Sequence, residues 1–430
     1  MFKRHVWLRV IFLFFLFVPS AAAEHRFIVR TSLGQSGLQQ TCLLHLCNVV
    51  RSLDGGVNQV FLVTTSDLVN SDLFLGTLRL LPGIVDAEVD QLLAIGSGQA
   101  TLLTPPSGLS DATPVGFYGS VVWQGYALQP AAQIIRLSDA QNSFAVTGVG
   151  LVADIDTGVD PTHPALINVL LSGYDFTRNQ PGGSELTDWP YASPPACSGC
   201  QPANVNQSTA AVLDQSTAAV LDGAPYAAFG HGTMVAGVIH LAAPTAYILP
   251  LKTFNANGTG YLSDILRATY FAVQNQANII NMSFDFTSPS VEMETAISYA
   301  NQNGVICVAS VGNDGQQMVT YPASYTTVMG VASTSDLDAR STFSNYGSEV
   351  WVAAPGENIV TTFPFGTYAA GSGTSFSSPF VAGGVALLRN LKIGLAPADA
   401  AQAIAHAKQL TPQLGNGRLD LYLALDSLRP

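Results

Sequence analysis

The sequence predicts an α/β protein: a parallel sheet with helices on both faces, preceded by a small α+β unit. From residue 148 onward, short runs that are apolar throughout alternate with longer helix-like stretches, as buried parallel strands and their crossover helices do. Residues 25–97 carry a separate β-α-β-β-α-β order. The chain has 430 residues, 48% of them hydrophobic and only 11% charged, enough for two or three domains with a large core. Its 29 acidic side chains against 17 basic ones give a net charge of −12. That balance lacks the basic footprint of a nucleic-acid binder and reads as a contribution to solubility.

The elements follow in order. Lys3, Arg4 and Arg9 flank the apolar run Val10 to Val18, and Pro19-Ser20-Ala21-Ala22-Ala23 supplies small residues. This is the pattern of a secretory signal, residues 1–23, cut after Ala23. A membrane anchor is the alternative, but the run falls short of the ~20 residues a span needs. A secreted, extracellular or periplasmic protein is expected, with no stable membrane span once the signal is removed. Within residues 24–97, strands are expected at Phe27–Arg30, Gln59–Thr64 and Ile84–Asp90, and helices at Leu43–Leu53 and Leu68–Leu81. The order fits a ferredoxin-like unit. Residues 98–114 fall in a stretch rich in Gly, Ser, Thr and Pro and read as a linker.

A larger domain, 115–430, follows. Strands are expected at 148–155, 247–251, 278–282, 305–309, 328–332 and 350–354. Helices are expected at 233–241, 262–276, 290–302 and 397–408, with another beginning near Ser375. One long polar loop, 178–230, interrupts the pattern. It contains the tandem copies Gln207–Asp214 and Gln215–Asp222, two repeats being too few for a solenoid. The loop reads as a surface insertion.

Five cysteines are present. Cys42 and Cys47 would lie about 8 Å apart if both were helical, too far to bridge. Either the segment is not helical at Cys42 or these thiols are unpaired. Cys197 and Cys200 suit a local disulfide in an exported chain better than a zinc site. Cys307, mid-strand, reads as a buried small apolar residue. Asn206, Asn257 and Asn281 head N-x-Ser/Thr patterns.

Three motifs carry chemistry. Gly373-Thr374-Ser375 turns into an apolar helix, placing a serine where unpaired backbone N–H groups converge. Gly230-His231-Gly232 sets a histidine between glycines that let other backbone approach the ring. An apolar strand ends in Asp156-Thr157-Gly158, at the carboxyl edge where open α/β sheets build their sites. A carboxylate holding one imidazole nitrogen, with the other facing a hydroxyl, is an acyl-transfer triad. Asp154, two residues back on the same strand face, rivals Asp156 as the carboxylate. His163, His240 and His406 lack the flanking glycines or lie on the C-terminal helix.

With the order Asp, His, Ser, the chain resembles the subtilisin-like serine proteases. Ser378-Pro379 extends the serine block, and Ala309-Ser310-Val311-Gly312-Asn313-Asp314-Gly315 is similar to the family's oxyanion segment. The resemblance implies a serine endopeptidase acting on polypeptides through an acyl-enzyme, with Asp156, His231 and Ser375 catalytic and Asn313 at the oxyanion. It implies that residues 24–97 are a propeptide, an intramolecular inhibitor removed by self-processing of a zymogen. Leu81-Pro82-Gly83-Ile84-Val85-Asp86-Ala87-Glu88 is the stretch most like such propeptides. The likeness further implies that Gly258, Thr259 and Gly260 pair with extended substrate opposite Ser283, Phe284 and Asp285. Asp285 stands where the family usually has glycine. With Asp314 it gives the first specificity pocket an acidic rim over a floor at Thr320, suited to Lys or Arg. No cofactor is expected. Calcium commonly stabilises the family, but no loop here shows clear ligand spacing. A catalytically silent peptide-binding scaffold, and a narrow processing enzyme or exopeptidase, are the alternative readings.

Overall fold

The structure is a computed structural model describing residues 24–95, 107–190 and 226–429. The expected signal segment, most of the linker, Cys197, Cys200, Asn206 and the tandem copies lie outside the described residues.

The larger domain is built on an eight-stranded sheet. Its order is Gln180–Pro181, Tyr174–Asp175, Tyr247–Lys252, Leu151–Asp156, Ile279–Met282, Ile306–Ser310, Val328–Thr334, Val352–Pro355. Every pairing is parallel except the short one at the Gln180 edge. Successive side chains point to opposite faces, and the sequence uses this directly. Val152, Ile279, Ile306 and Val308 enter a core with the helices His231–Ala242 and Thr374–Leu391. Ala153, Ile280, Cys307 and Ala309 enter a second core with the helices Leu262–Gln274 and Val291–Gln302. Both faces are therefore covered, which is why these strands read as continuous apolar runs.

The N-terminal unit is a four-stranded antiparallel sheet in the order Cys47–Ser52, Val60–Ser66, Glu24–Thr31, Ile84–Val89. Its helices, Gly34–His45 and Ser71–Leu80, cover one face through Phe27, Phe61, Leu38 and Phe74. The other face sends Ile28, Val60 and Leu62 into the second core of the larger domain.

The structure corrects several expectations. The first helix is Gly34–His45 rather than 43–53, because Leu46 adopts a left-handed conformation (φ 57°) and turns the chain into a strand at Cys47. Cys42 is helical and nevertheless bridged to Cys47, their Cα atoms 4.5 Å apart. The 8 Å estimate fails because only one of the two is in the helix. The C-terminal helix ends at Ile404, so exposed His406 lies beyond it, and Lys408 instead bridges Arg418. The loop expected to be a surface insertion from Arg178 is anchored at both ends, with Glu185 and Ala227–Phe229 buried. Asn281 is fully buried on a central strand, donating to Asp154 and Ser283, so its N-x-Ser pattern is closed to modification in the folded chain. Cys307 is a buried free thiol. Among the described residues, no helix is long and apolar enough to cross a membrane.

Candidate active site

The strand Leu151–Asp156 ends with Asp156 buried at the sheet's carboxyl edge. Asp156 Oδ1 accepts hydrogen bonds from the Thr157 N–H at 2.6 Å and from His231 Nδ1 at 2.7 Å. Since a carboxylate only accepts, His231 carries its proton on Nδ1 and leaves Nε2 free to act as a base. His231 opens the helix His231–Ala242. Gly232 brings that helix against the aspartate turn: a Cβ there would stand 2.1 Å from the Gly158 carbonyl oxygen. Asp154 faces Asn281 instead, accepting from its Nδ2 at 3.1 Å. Burial, and then the neighbouring Asp156 charge, push the Asp154 carboxyl well above the ordinary range.

Ser375 is the second residue of the helix Thr374–Leu391. Its Oγ donates to the Ser283 carbonyl at 3.1 Å, and among the described residues no hydrogen bond joins it to His231. The two motifs still meet, for the His231 ring lies 5.9 Å from that of Phe376. Pro379 has no N–H to give the Ser375 carbonyl four residues back. The Ser283 hydroxyl supplies that bond at 3.0 Å, tying the serine helix to the strand Ile279–Met282. Asn313 Oδ1 accepts from the Thr374 N–H at 2.8 Å and its hydroxyl at 3.0 Å. These donors fix the amide's orientation and leave Nδ2 as a free donor beside Ser375.

The expected substrate walls are also resolved. Thr259–Tyr261 pairs antiparallel with Leu92–Ala94, the last strand of the N-terminal unit, and the Ile95 N–H donates to the Gly258 carbonyl at 2.8 Å. Gly258, Thr259 and Gly260 thus hold an extended segment of the chain itself. Phe284 is buried in the second core, on Phe254. Thr320 is buried and donates to the Val311 carbonyl at 2.7 Å. Asp314 Oδ2 accepts from Asn345. Asp285 is buried against Gly312.

Residues 150–421 match the model of the subtilase family. The chain belongs to that family. Thermitase of Thermoactinomyces vulgaris is 34% identical over 241 residues, 55% of this chain and 74% of thermitase. A thermophilic serine proteinase of Bacillus sp. (strain AK1) is 36% identical over 237 residues, but the match spans about half of that protein, 51%, and 55% of this chain. The crystal structure of fervidolysin from Fervidobacterium pennivorans, described as a keratinolytic enzyme related to subtilisin, superposes with a TM-score of 0.70 at 21% identity. It covers 95% of this chain and 62% of that one, so the likeness in fold extends over the N-terminal unit.

Two residues of this subtilase escaped the sequence reading. Glu185 is 1% exposed and accepts from the Gly230 N–H at 2.7 Å, the Thr233 N–H at 3.2 Å and the hydroxyls of Thr157 and Thr233. It thereby joins the aspartate turn to the start of the histidine helix. Burial raises its carboxyl to about 8, against the opposing effects of those bonds and of Lys252. Lys252, fully buried, donates to the carbonyls of Thr157 and Phe254 and pairs with Asp188 at 2.7 Å. Both carboxyl groups sit in the single 3-10 turn Glu185–Asp188, too short for any periodicity to flag them. His163 and His240 are structural: His163 bonds the Thr367 carbonyl, and His240 packs edge-on against Phe117, burial lowering it to about 4. Among the described residues, no three His, Cys, Asp or Glu side chains converge as a metal ligand set.

Proposed function

We propose that the chain is a secreted serine endopeptidase, made as a zymogen whose N-terminal unit, residues 24–97, inhibits it until self-processing. The 2.7 Å bond between His231 Nδ1 and Asp156, with Ser375 and Asn313 beside it, carries this reading. Ser375 Oγ attacks the scissile carbonyl while His231 Nε2 takes its proton, and Asp156 holds the tautomer and stabilises the imidazolium. The Asn313 Nδ2 and the Ser375 N–H donate to the oxyanion. His231 then protonates the leaving amine, and water repeats the sequence on the acyl-enzyme. The strand Leu92–Ala94 on Thr259–Tyr261 supports the inhibitory role, because it occupies the edge an extended peptide would use.

A serine-directed fluorophosphonate tests the reading together with end-blocked peptides. Labelling at Ser375 and cleavage within blocked peptides are expected. Cleavage of free-ended peptides alone favours the exopeptidase alternative, and neither labelling nor cleavage favours a silent scaffold.

A further inference from the structure

Asp285 is a buried ionisable group that the mechanism leaves unused. It is 5% exposed, and Oδ2 has no hydrogen-bond partner among the described residues. A carboxylate buried without donors or a counter-ion is costly, so a cationic partner that supplied donors would stabilise it. Its own surroundings make matters worse. Burial first and the Asp314 carboxylate second raise its titration to about 7, and no cationic side chain opposes them. Asn345 Nδ2, which also faces Gly312, is committed to the Val311 carbonyl and to Asp314.

The position of this carboxyl is specific. The strands Ile279–Met282 and Ile306–Ser310 are neighbours in the sheet. One continues through Ser283 to Asp285, the other through Val311 to Asn313. The Asp285 carboxyl lies across the space between them, against Gly312, where an added Cβ would stand 2.8 Å from Oδ2. The two segments also carry the reaction geometry. Ser283 accepts from the nucleophile Ser375 on one side, and Asn313 stands beside it on the other. Asp285 therefore stands two residues after Ser283 and against the residue before Asn313, close to where a carbonyl attacked by Ser375 would sit.

We infer that Asp285 is the specificity-determining residue of this subtilase, a buried carboxylate that receives the cationic side chain of a lysine or arginine supplying the scissile carbonyl. The inference rests on the endopeptidase reading and adds the substrate class to it. The ammonium or guanidinium of such a side chain supplies the donors that Asp285 lacks. The two acidic groups act unequally. Asp285 makes the contact, whereas Asp314, held by Asn345, adds to the negative potential.

The test uses the self-processed enzyme, its Ser375→Ala counterpart, and end-blocked peptides that differ only in the residue before the cut: Arg, Lys, norleucine, Leu or Glu. Arg or Lys is expected to exceed norleucine in kcat/KM by about 10²-fold, the order that one buried charge pair confers. In Asp285→Asn that ratio is expected to fall to within about threefold, since the neutral amide removes the pairing charge. Norleucine or Leu cleaved as fast as Lys and Arg overturns the inference and leaves the endopeptidase reading standing. Should no peptide be cleaved in a Ser375-dependent way, both fall together. If Asp285→Asn does not fold, the peptide series on the unaltered enzyme decides alone.

Discussion

The Glu185 carboxyl group accepts the Gly230 N–H at 2.7 Å, one residue before His231. The same group accepts a bond from the Thr157 hydroxyl, one residue after Asp156. Two members of the proposed triad are therefore set by a third side chain that touches neither. In Glu185→Gln, an amide N–H₂ replaces one of the two accepting oxygens and faces donors. The start of the histidine helix then shifts. A loss of about 10–100-fold in kcat is expected, with KM changed by less than about threefold, since small misplacements of a catalytic group act on the chemical step. Steady-state kinetics beside a thermal melt would check this; an unchanged kcat would show that Glu185 only supports the fold.

Lys252 is fully buried and satisfied by two carbonyls and Asp188. Lys252→Met keeps the stem and removes the charge, leaving Asp188 and the Thr157 carbonyl short of a donor. A loss of about 3 kcal/mol in unfolding free energy is expected, the range for breaking one side of a buried pair. Denaturant unfolding of the Ser375→Ala chain, with and without the change, measures it.

The N-terminal unit docks through carboxylates. Glu88 accepts from Ser290 and the Val291 N–H, and Asp90 accepts from Ser263, so each caps a helix of the larger domain. Burial raises Glu88 and Asp90, and raises Glu292 to about 7 and Asp264 to about 6, with Arg30 and Arg26 opposing. Where the docked unit supplies that burial, docking takes up protons. Its full strength holds below the ordinary carboxylate range near 4.5 and is lost as pH rises toward about 7. Gel filtration of the nicked chain should show the unit retained at pH 5 and held at least about tenfold more weakly at pH 8, because each carboxyl that loses its proton about one pH unit later when docked changes the affinity by that factor. Equal retention would mean these groups titrate alike when bound and free.

Asp285 gives a pH signature that separates it from the shared catalytic groups. Its carboxyl must ionise to hold a cation, so the ratio of kcat/KM for lysine over norleucine peptides should rise as pH passes through about 7. Taking the ratio cancels the contributions of His231 and Asp156. Asp314, the other charge facing the carboxyl, would broaden the rise. A ratio flat between pH 5 and 9 would contradict the ionisation.

Much of the fold is legible because parallel strands covered on both faces leave unbroken apolar runs, and Val152/Ala153 or Ile279/Ile280 can serve opposite cores without changing the pattern. The motifs around Asp156, His231 and Ser375 are equally legible, since each needs local glycines or a helix start. Other features depend on where remote segments meet. Glu185 lies in a single 3-10 turn and acquires its role only against Gly230 and Thr233. The Cys42–Cys47 bridge turned on a single left-handed residue, Leu46, which no periodicity marks. The N-x-Ser pattern at Asn281 gave no sign that a central strand would bury it.

The central claim is that Ser375 cuts this same chain between its two units. Residues 24–430 would be expressed beside a Ser375→Ala version, and the mass of each followed over time. The unaltered chain is expected to separate within the stretch Gly96 to Pro114 while the Ala version stays whole. If both stay whole, or both are cut alike, Ser375 is not the nucleophile of a self-processing zymogen and the central claim fails.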